Sequence, residues 1–296
     1  MKRTESEYIA RDGTPLFYRT WLPEGGEGLR GIVCVVHGLG EHGDRYGEMA
    51  DALAAGGFAV VSCDHRGHGR SGGLRGHCES FDDYVADLCG FIATVQELLG
   101  TELPTYLLGH SMGGLIAVRT LQTRTDLALA GAIISNPCLE VAVQAPRLKV
   151  AMARGLAKLL PRLRLDNELT VEDICRDPAV VTAYEADPLI HRKISARWYT
   201  ALLQAMELAG QDPPSVAVPT LWILSGQDRI CDSEVSESFA RQLPAHRVTV
   251  RRFPEAFHEA HNGPDKGEVL SAVLGWLGEQ VSGLEQPHPA AQPTSS

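Results

Sequence analysis

The pentapeptide Gly109-His110-Ser111-Met112-Gly113 constrains this chain more than any other stretch. A short apolar run, Tyr106-Leu107-Leu108, leads into it, and a helix-like run from Gly114 to Leu121 leads out. A serine at the tip of so tight a strand–turn–helix junction is held in a strained backbone conformation, with neighbouring chain close by. Glycines two residues to either side remove the Cβ atoms that would clash. The turn pushes Oγ into the open. The new helix aims its unpaired N–H groups and positive dipole end at the same point, so an oxyanion formed there is stabilised at once.

Around this turn the chain alternates strand and helix. Tyr8–Arg11, the Asp12-Gly13 pair and Pro15–Trp21 read as a hairpin. Ile32–Val36, Phe58–Ser62, the run to Leu108 and Gly131–Ser135 are apolar, β-branched runs expected to be buried strands. Helices are expected from Tyr46 to Ala55, stopped by Gly56-Gly57, and after Ser80, whose hydroxyl caps a helix with apolar positions from Phe81 to Leu99. From Glu140 to about Gly210 helical patterns take over. Alternation then resumes with a strand Thr220–Ser225, a helix near Ser233–Gln242, a strand Arg247–Phe253 and a helix from about Pro264 to Val281. The expectation is an α/β fold, a mostly parallel sheet flanked by helices, with an inserted helical cap over the carboxyl ends of the strands. Residues 1–139 and 211–284 then form the two parts of the core and 140–210 the cap. The tail 285–296, rich in Pro, Gln and Ser, is expected to be disordered.

Composition narrows the class. A formal net charge of −10 argues against nucleic acid as a partner, because no excess of Lys and Arg exists to neutralise phosphates. The charged start Met1-Lys2-Arg3-Thr4-Glu5 carries no signal-peptide pattern, and the longest apolar runs are far too short to span a bilayer. Seven cysteines without C-x-x-C spacing read as free thiols in a reducing compartment. The protein is expected to be soluble and cytoplasmic.

A serine hydroxyl is a weak nucleophile until a base takes its proton, so Ser111 needs a histidine oriented by a carboxylate. In folds of this kind the partners follow in the order serine, acid, histidine, at the ends of later strands. Asp228 follows the strand ending near Leu224, and His258 follows the strand ending at Phe253. On residue chemistry alone His261, three positions on in the same loop, competes with His258 for the role of base. Met112, directly after the nucleophile at a helix start, is placed to give one oxyanion N–H.

Five motifs together carry a family resemblance: His37-Gly38-Leu39-Gly40-Glu41-His42, Asp64-His65-Arg66-Gly67-His68-Gly69-Arg70-Ser71, Gly109–Gly114, Gly226-Gln227-Asp228-Arg229-Ile230-Cys231-Asp232, and the His258…His261 pair. Over roughly residues 5 to 282, and most weakly in the cap, the chain resembles the monoacylglycerol lipases and the lysophospholipase-like branch of the α/β-hydrolase superfamily. The resemblance implies His258 as the base and Leu39 as the second oxyanion donor beside Met112. It also implies that Glu41, Arg45 and His261 line a small polar pocket for glycerol hydroxyls. An alternative for Glu41 and Arg45, four residues apart, is a surface ion pair.

The histidine-rich stretch from Cys63 to Cys78 matches no zinc spacing, and the chemistry needs no metal or other cofactor. Its Arg66-Gly67-x-Gly69 glycines are a weak phosphate-binding signal, since no Lys-Ser/Thr follows. Cys231 is expected as a half-buried thiol near the site. Ala145–Leu165 holds Arg147, Lys149, Arg154, Lys158, Arg162 and Arg164 and no acid. At about 100° per residue, Arg147, Arg154, Lys158 and Arg162 share one face, and Leu148, Met152, Leu156, Leu159 and Leu160 another. Such a helix either contacts an anionic membrane surface or packs its apolar face on the core and leaves the basic face to water.

The expected function is a serine hydrolase cleaving carboxylic esters of single-chain acyl lipids, monoacylglycerol first, through an acyl-enzyme. A lysophospholipase, a general carboxylesterase or a thioesterase would use the same triad. A peptidase of the proline-iminopeptidase type would share the fold but require an acidic patch in the cap, where the readable charge is basic. A non-catalytic binder would not need complete Ser, Asp and His positions. Oligomeric state and acyl length leave no mark in the sequence.

Overall fold

The computed structural model describes residues 1–25 and 28–285. The chain opens with a hairpin, β1 (Lys2–Ile9) and β2 (Pro15–Leu22), turning through Asp12 and Gly13, the latter at φ +84°. Then follow β3 (Gly31–Val36), α1 (Gly47–Ala55), β4 (Phe58–Cys63), α2 (Asp82–Leu99), β5 (Thr105–His110), α3 (Met112–Thr123) and β6 (Leu129–Ser135). The next segment holds α4 (Arg147–Leu159), β7 (Arg164–Asp166), α5 (Pro178–Ala186), β8 (Lys193–Ser195) and α6 (Ala196–Gln211). Last come β9 (Thr220–Ser225), α7 (Ser233–Ala240), β10 (Val248–Phe253) and α8 (Lys266–Glu285).

Eight strands form one sheet in the order β1-β2-β4-β3-β5-β6-β9-β10. From β4 to β10 every neighbouring pair is parallel, and only the hairpin departs, with β2 antiparallel to β4. The alternation of side chains along each strand divides the core into two layers. Ile32, Cys34 and Val36 join the layer beneath α2, α3 and α7, and Val33 and Val35 face the other way, against α1 and α8. The parallel strands β3, β4, β5 and β9 are buried along their whole length, which is why they read as continuous β-branched and apolar runs.

The N-cap of α2 is Phe81, without a side-chain cap bond, one residue after the expected Ser80; Ser80 instead bonds reciprocally into the first turn. Ser80 Oγ accepts the Asp82 N–H at 3.2 Å, while Asp83 Oδ2 accepts the Ser80 N–H at 2.9 Å. Helix α8 runs past the expected end at Val281 to Glu285. Beyond Glu285 the tail lies outside the described residues.

The segment between β6 and β9 departs from a purely helical reading. It carries a two-stranded antiparallel ladder, Arg164 opposite Ser195 and Asp166 opposite Lys193. Both strands are only three residues long, too short for a period-2 pattern to show. The segment leans on the loops that follow the parallel strands. His191 N–H donates to Gly40 O at 3.0 Å, Ser195 N–H to Gly76 O at 2.8 Å, and Glu259 N–H to Ile174 O at 2.8 Å.

Candidate active site

Ser111 stands between β5 and α3 at φ 56° and ψ −121°. A side chain with a Cβ is strained there, at a cost of order 1–3 kcal/mol that the surrounding packing must sustain. The packing is tight enough to do so. A Cβ on Gly109 would come within 2.5 Å of Gly113 O, and one on Gly113 would run into the carbonyl oxygens of Val36 and His37. The Ser111 N–H donates to Ser135 O at 3.0 Å, and its carbonyl accepts from Leu115 N and Cys138 N. Among the described residues, neither the Leu39 N–H nor the Met112 N–H has an acceptor within the protein.

The later strands bring the acid and the histidine to the same end of the sheet. Asp228 follows β9; its Oδ1 accepts the N–H groups of Ile230 (2.8 Å) and Cys231 (2.9 Å). Its Oδ2 accepts from His258 Nδ1 at 2.7 Å. The carboxylate is therefore anchored by its own loop, and it fixes the imidazole with Nε2 unprotonated and free to act as a base. Burial lowers the His258 pKa, but the adjacent Asp228 charge outweighs it, with help from Glu259, and the net direction is upward. The His110 ring stands between the two histidines of the loop, 4.6 Å from His258 and 4.7 Å from His261.

Asn136 was not legible as a member of this group. It takes φ 41° just after β6, where its Oδ1 accepts the Ser225 N–H. Its Nδ2 donates to Ser225 Oγ (2.8 Å) and to His258 O (2.6 Å). One amide thus ties the ends of β6 and β9 to the histidine loop. The signal was an Asn-Pro pair directly after a strand, a turn pattern that says nothing of its long-range partner.

Glu41, Arg45 and His261 come together, though not as an open pocket. Glu41 Oε1 accepts the Gly38 N–H at 2.6 Å and the Tyr46 O–H at 2.8 Å, while Oε2 accepts Arg45 Nη1 at 2.5 Å. Arg45 also grips Glu259 with both nitrogens, at 2.5 and 2.7 Å, and lies 4.7 Å over the Tyr184 ring. All three charged side chains are at most 10% exposed, so the surface ion pair is replaced by a buried, shared one. Burial pushes the Glu259 carboxyl up, yet the guanidinium holds it down at about 2. His261 stacks on Tyr46 at 5.1 Å; its Nε2 is buried without a partner, and burial lowers its pKa to about 4.

The histidine-rich motif is architectural. Asp64 binds Arg19 and the N–H groups of Gly43 and Arg70, and Arg66 is clamped on Asp87 at 2.6 and 2.7 Å, so its guanidinium is not offered to a phosphate. Among the described residues no group of three or more His, Cys, Asp or Glu is arranged to hold a metal ion. Cys231 is 1% exposed rather than half-buried. Its neighbour Cys138, with burial, pushes its thiol pKa up, as expected of an inert thiol.

Helix α4 ends at Leu159, so Arg162 and Arg164 fall beyond it. Its packing face takes only Leu156 of the leucine face. Ala157 is buried and Val150, Ala153 and Leu156 are half-buried, whereas Leu148, Met152 and Leu159 are 72%, 61% and 80% exposed. Of the two alternatives for this helix, packing of the whole leucine face on the core is not what is seen: Leu156 is half-buried with Val150, Ala153 and Ala157, and Leu148, Met152 and Leu159 stand opposite.

A family model described as serine aminopeptidase, S33, matches residues 27–265. The chain is 32% identical over 276 residues to a monoacylglycerol lipase of Mycolicibacterium smegmatis, covering 93% of this chain and 97% of that one. It is 31% identical over 294 residues to an abhydrolase domain-containing protein of Dictyostelium discoideum, covering 98% of this chain but only 30% of that protein. Among solved structures, a monoacylglycerol lipase of Paleococcus ferrophilus matches with a TM-score of 0.78 at 32% identity, covering 95% of this chain and 100% of that one.

Proposed function

The chain belongs to the serine aminopeptidase, S33, family of α/β-hydrolase-fold enzymes, and within it we propose a serine ester hydrolase that cleaves monoacylglycerol to glycerol and fatty acid. The observation that carries the catalytic part is the 2.7 Å bond from His258 Nδ1 to Asp228 Oδ2, made at the ends of β9 and β10. The substrate rests on the similarity to monoacylglycerol lipases over nearly the whole chain.

Ser111 Oγ attacks the ester carbonyl as His258 Nε2 takes its proton, and the Leu39 and Met112 N–H groups receive the oxyanion. The tetrahedral intermediate collapses, His258 returns the proton to the departing glycerol oxygen, and the acyl group stays on Ser111. Water, deprotonated by the same histidine, then releases the fatty acid. His261, with its unpartnered buried Nε2, is the group best suited to a glycerol hydroxyl.

The family description raises the peptidase reading again. An aminopeptidase needs a carboxylate for the substrate's ammonium group. Of the acids beside the site, Asp228 is bonded to His258, and Glu41 and Glu259 are both already paired with Arg45. An ester substrate makes no such demand.

The segment 140–210 acts as a cap in this reading, with α4 as its contact to a lipid surface. Arg147, Arg154 and Lys158 flank the exposed Leu148, Met152 and Leu159, the pattern of an interfacial helix. Among the described residues no helix is long and apolar enough to cross a membrane. Replacing Ser111 with Ala should abolish both turnover and labelling by a fluorophosphonate probe; retained turnover rejects the proposed nucleophile.

A further inference from the structure

The geometry points to Glu41 as a positioning residue for the oxyanion loop, held in a buried Glu41–Arg45–Glu259 brace, rather than as a direct ligand of the substrate's head group. The inference rests on Ser111 being the nucleophile. Its basis is where the bonds of Glu41 go. Oε1 holds the Gly38 N–H and the Tyr46 O–H, and Oε2 holds Arg45. Gly38 is the residue before the proposed oxyanion donor Leu39. A Cβ on Gly38 would lie 2.9 Å from Glu41 Oε1 and 3.3 Å from Ser111 Cβ, so this backbone threads between the carboxylate and the nucleophile. A bond to the Gly38 N–H therefore fixes the peptide that leads into the Leu39 N–H.

The other end of the brace reaches the base. Arg45 bridges Glu41 to Glu259, which directly follows His258 and whose Oε2 also accepts from Asn262 Nδ2 at 2.8 Å. One guanidinium thereby locks the loop after β3 against the loop after β10. Oxyanion-hole catalysis depends on donors that need no reorganisation when charge develops, and a misplacement of about 1 Å is costly.

A head-group ligand and a positioning residue differ in which substrates notice their loss. A p-nitrophenyl ester has no glycerol to recognise but forms the same oxyanion. The experiment measures kcat and KM of wild type, E41A, E41Q, Y46F and S111A on a monoacylglycerol and on p-nitrophenyl butyrate. The brace predicts that E41A lowers kcat by a similar factor on both esters, about 10²-fold for one mispositioned donor. E41Q, whose amide oxygen still accepts from Gly38, should recover most of that loss. Y46F leaves the Gly38 bond and removes only one hold on the Glu41 carboxylate; it serves if E41A fails to fold, and is expected to lower kcat by the same factor on both esters but by less than E41A. A loss confined to the monoacylglycerol and expressed in KM overturns the brace and leaves the triad intact. Turnover retained by S111A overturns both.

Discussion

At the residue scale, the acid–base chemistry makes a directional prediction. As the proposed base, His258 works only when neutral, and the Asp228 charge raises its pKa above the ordinary 6.5. kcat/KM should therefore rise with pH along a limb whose midpoint lies above 6.5. Glu259 favours the charged form of His258, so E259Q should move that midpoint down. A limb at or below 6.5 in the wild type would contradict the assignment. D228N keeps the shape of the side chain but removes the charge and favours the wrong tautomer; a drop in kcat of about 10⁴-fold is expected. Arg45 makes a stability prediction. Replacing it with Met leaves two buried carboxylates without compensation, which should cost about 3–5 kcal/mol in urea unfolding. A change below about 1 kcal/mol would mean that the brace is not closed in solution.

At the element scale, α4 and the turn before α3 behave oppositely. The turn tolerates no added atom, because α3 starts against the carbonyls of Val36 and His37. G113A should therefore destabilise the fold by about 3 kcal/mol or more, read by thermal unfolding. On α4, changing the exposed Leu148, Met152 and Leu159 together to Ser should alter stability little, each within about 0.5 kcal/mol. The same triple change should weaken co-sedimentation with anionic vesicles, and high salt should weaken it further in the wild type. Equal binding to anionic and zwitterionic vesicles would remove the electrostatic part of that contact. Periodicity alone could not decide which face of α4 packs. Leu148, Met152 and Leu159 form the more apolar stripe, yet Val150, Ala153 and Ala157 allow α6 to approach, and that choice depends on the partner's surface.

At the scale of the whole molecule, the parallel sheet was readable because its inner strands β3, β4, β5 and β9 are buried on both faces and say so in runs such as Ile32–Val36. The order of Ser111, Asp228 and His258 was readable for a related reason: each follows a strand, so topology delivers all three to one end. What stayed hidden was long-range. Glu259 and Asn136 reach the site through partners far away in the chain, Arg45 and His258 respectively, and no local pattern encodes that meeting. The β7–β8 ladder escaped because three-residue strands carry no period. The most direct test of the account is hydrolysis by the purified protein of matched mono-, di- and triacylglycerols, lysophosphatidylcholine and short p-nitrophenyl esters. The highest kcat/KM is expected on the monoacylglycerol, with activity abolished in S111A. Higher turnover of short activated esters, with no discrimination between head groups, would contradict it and leave a general esterase.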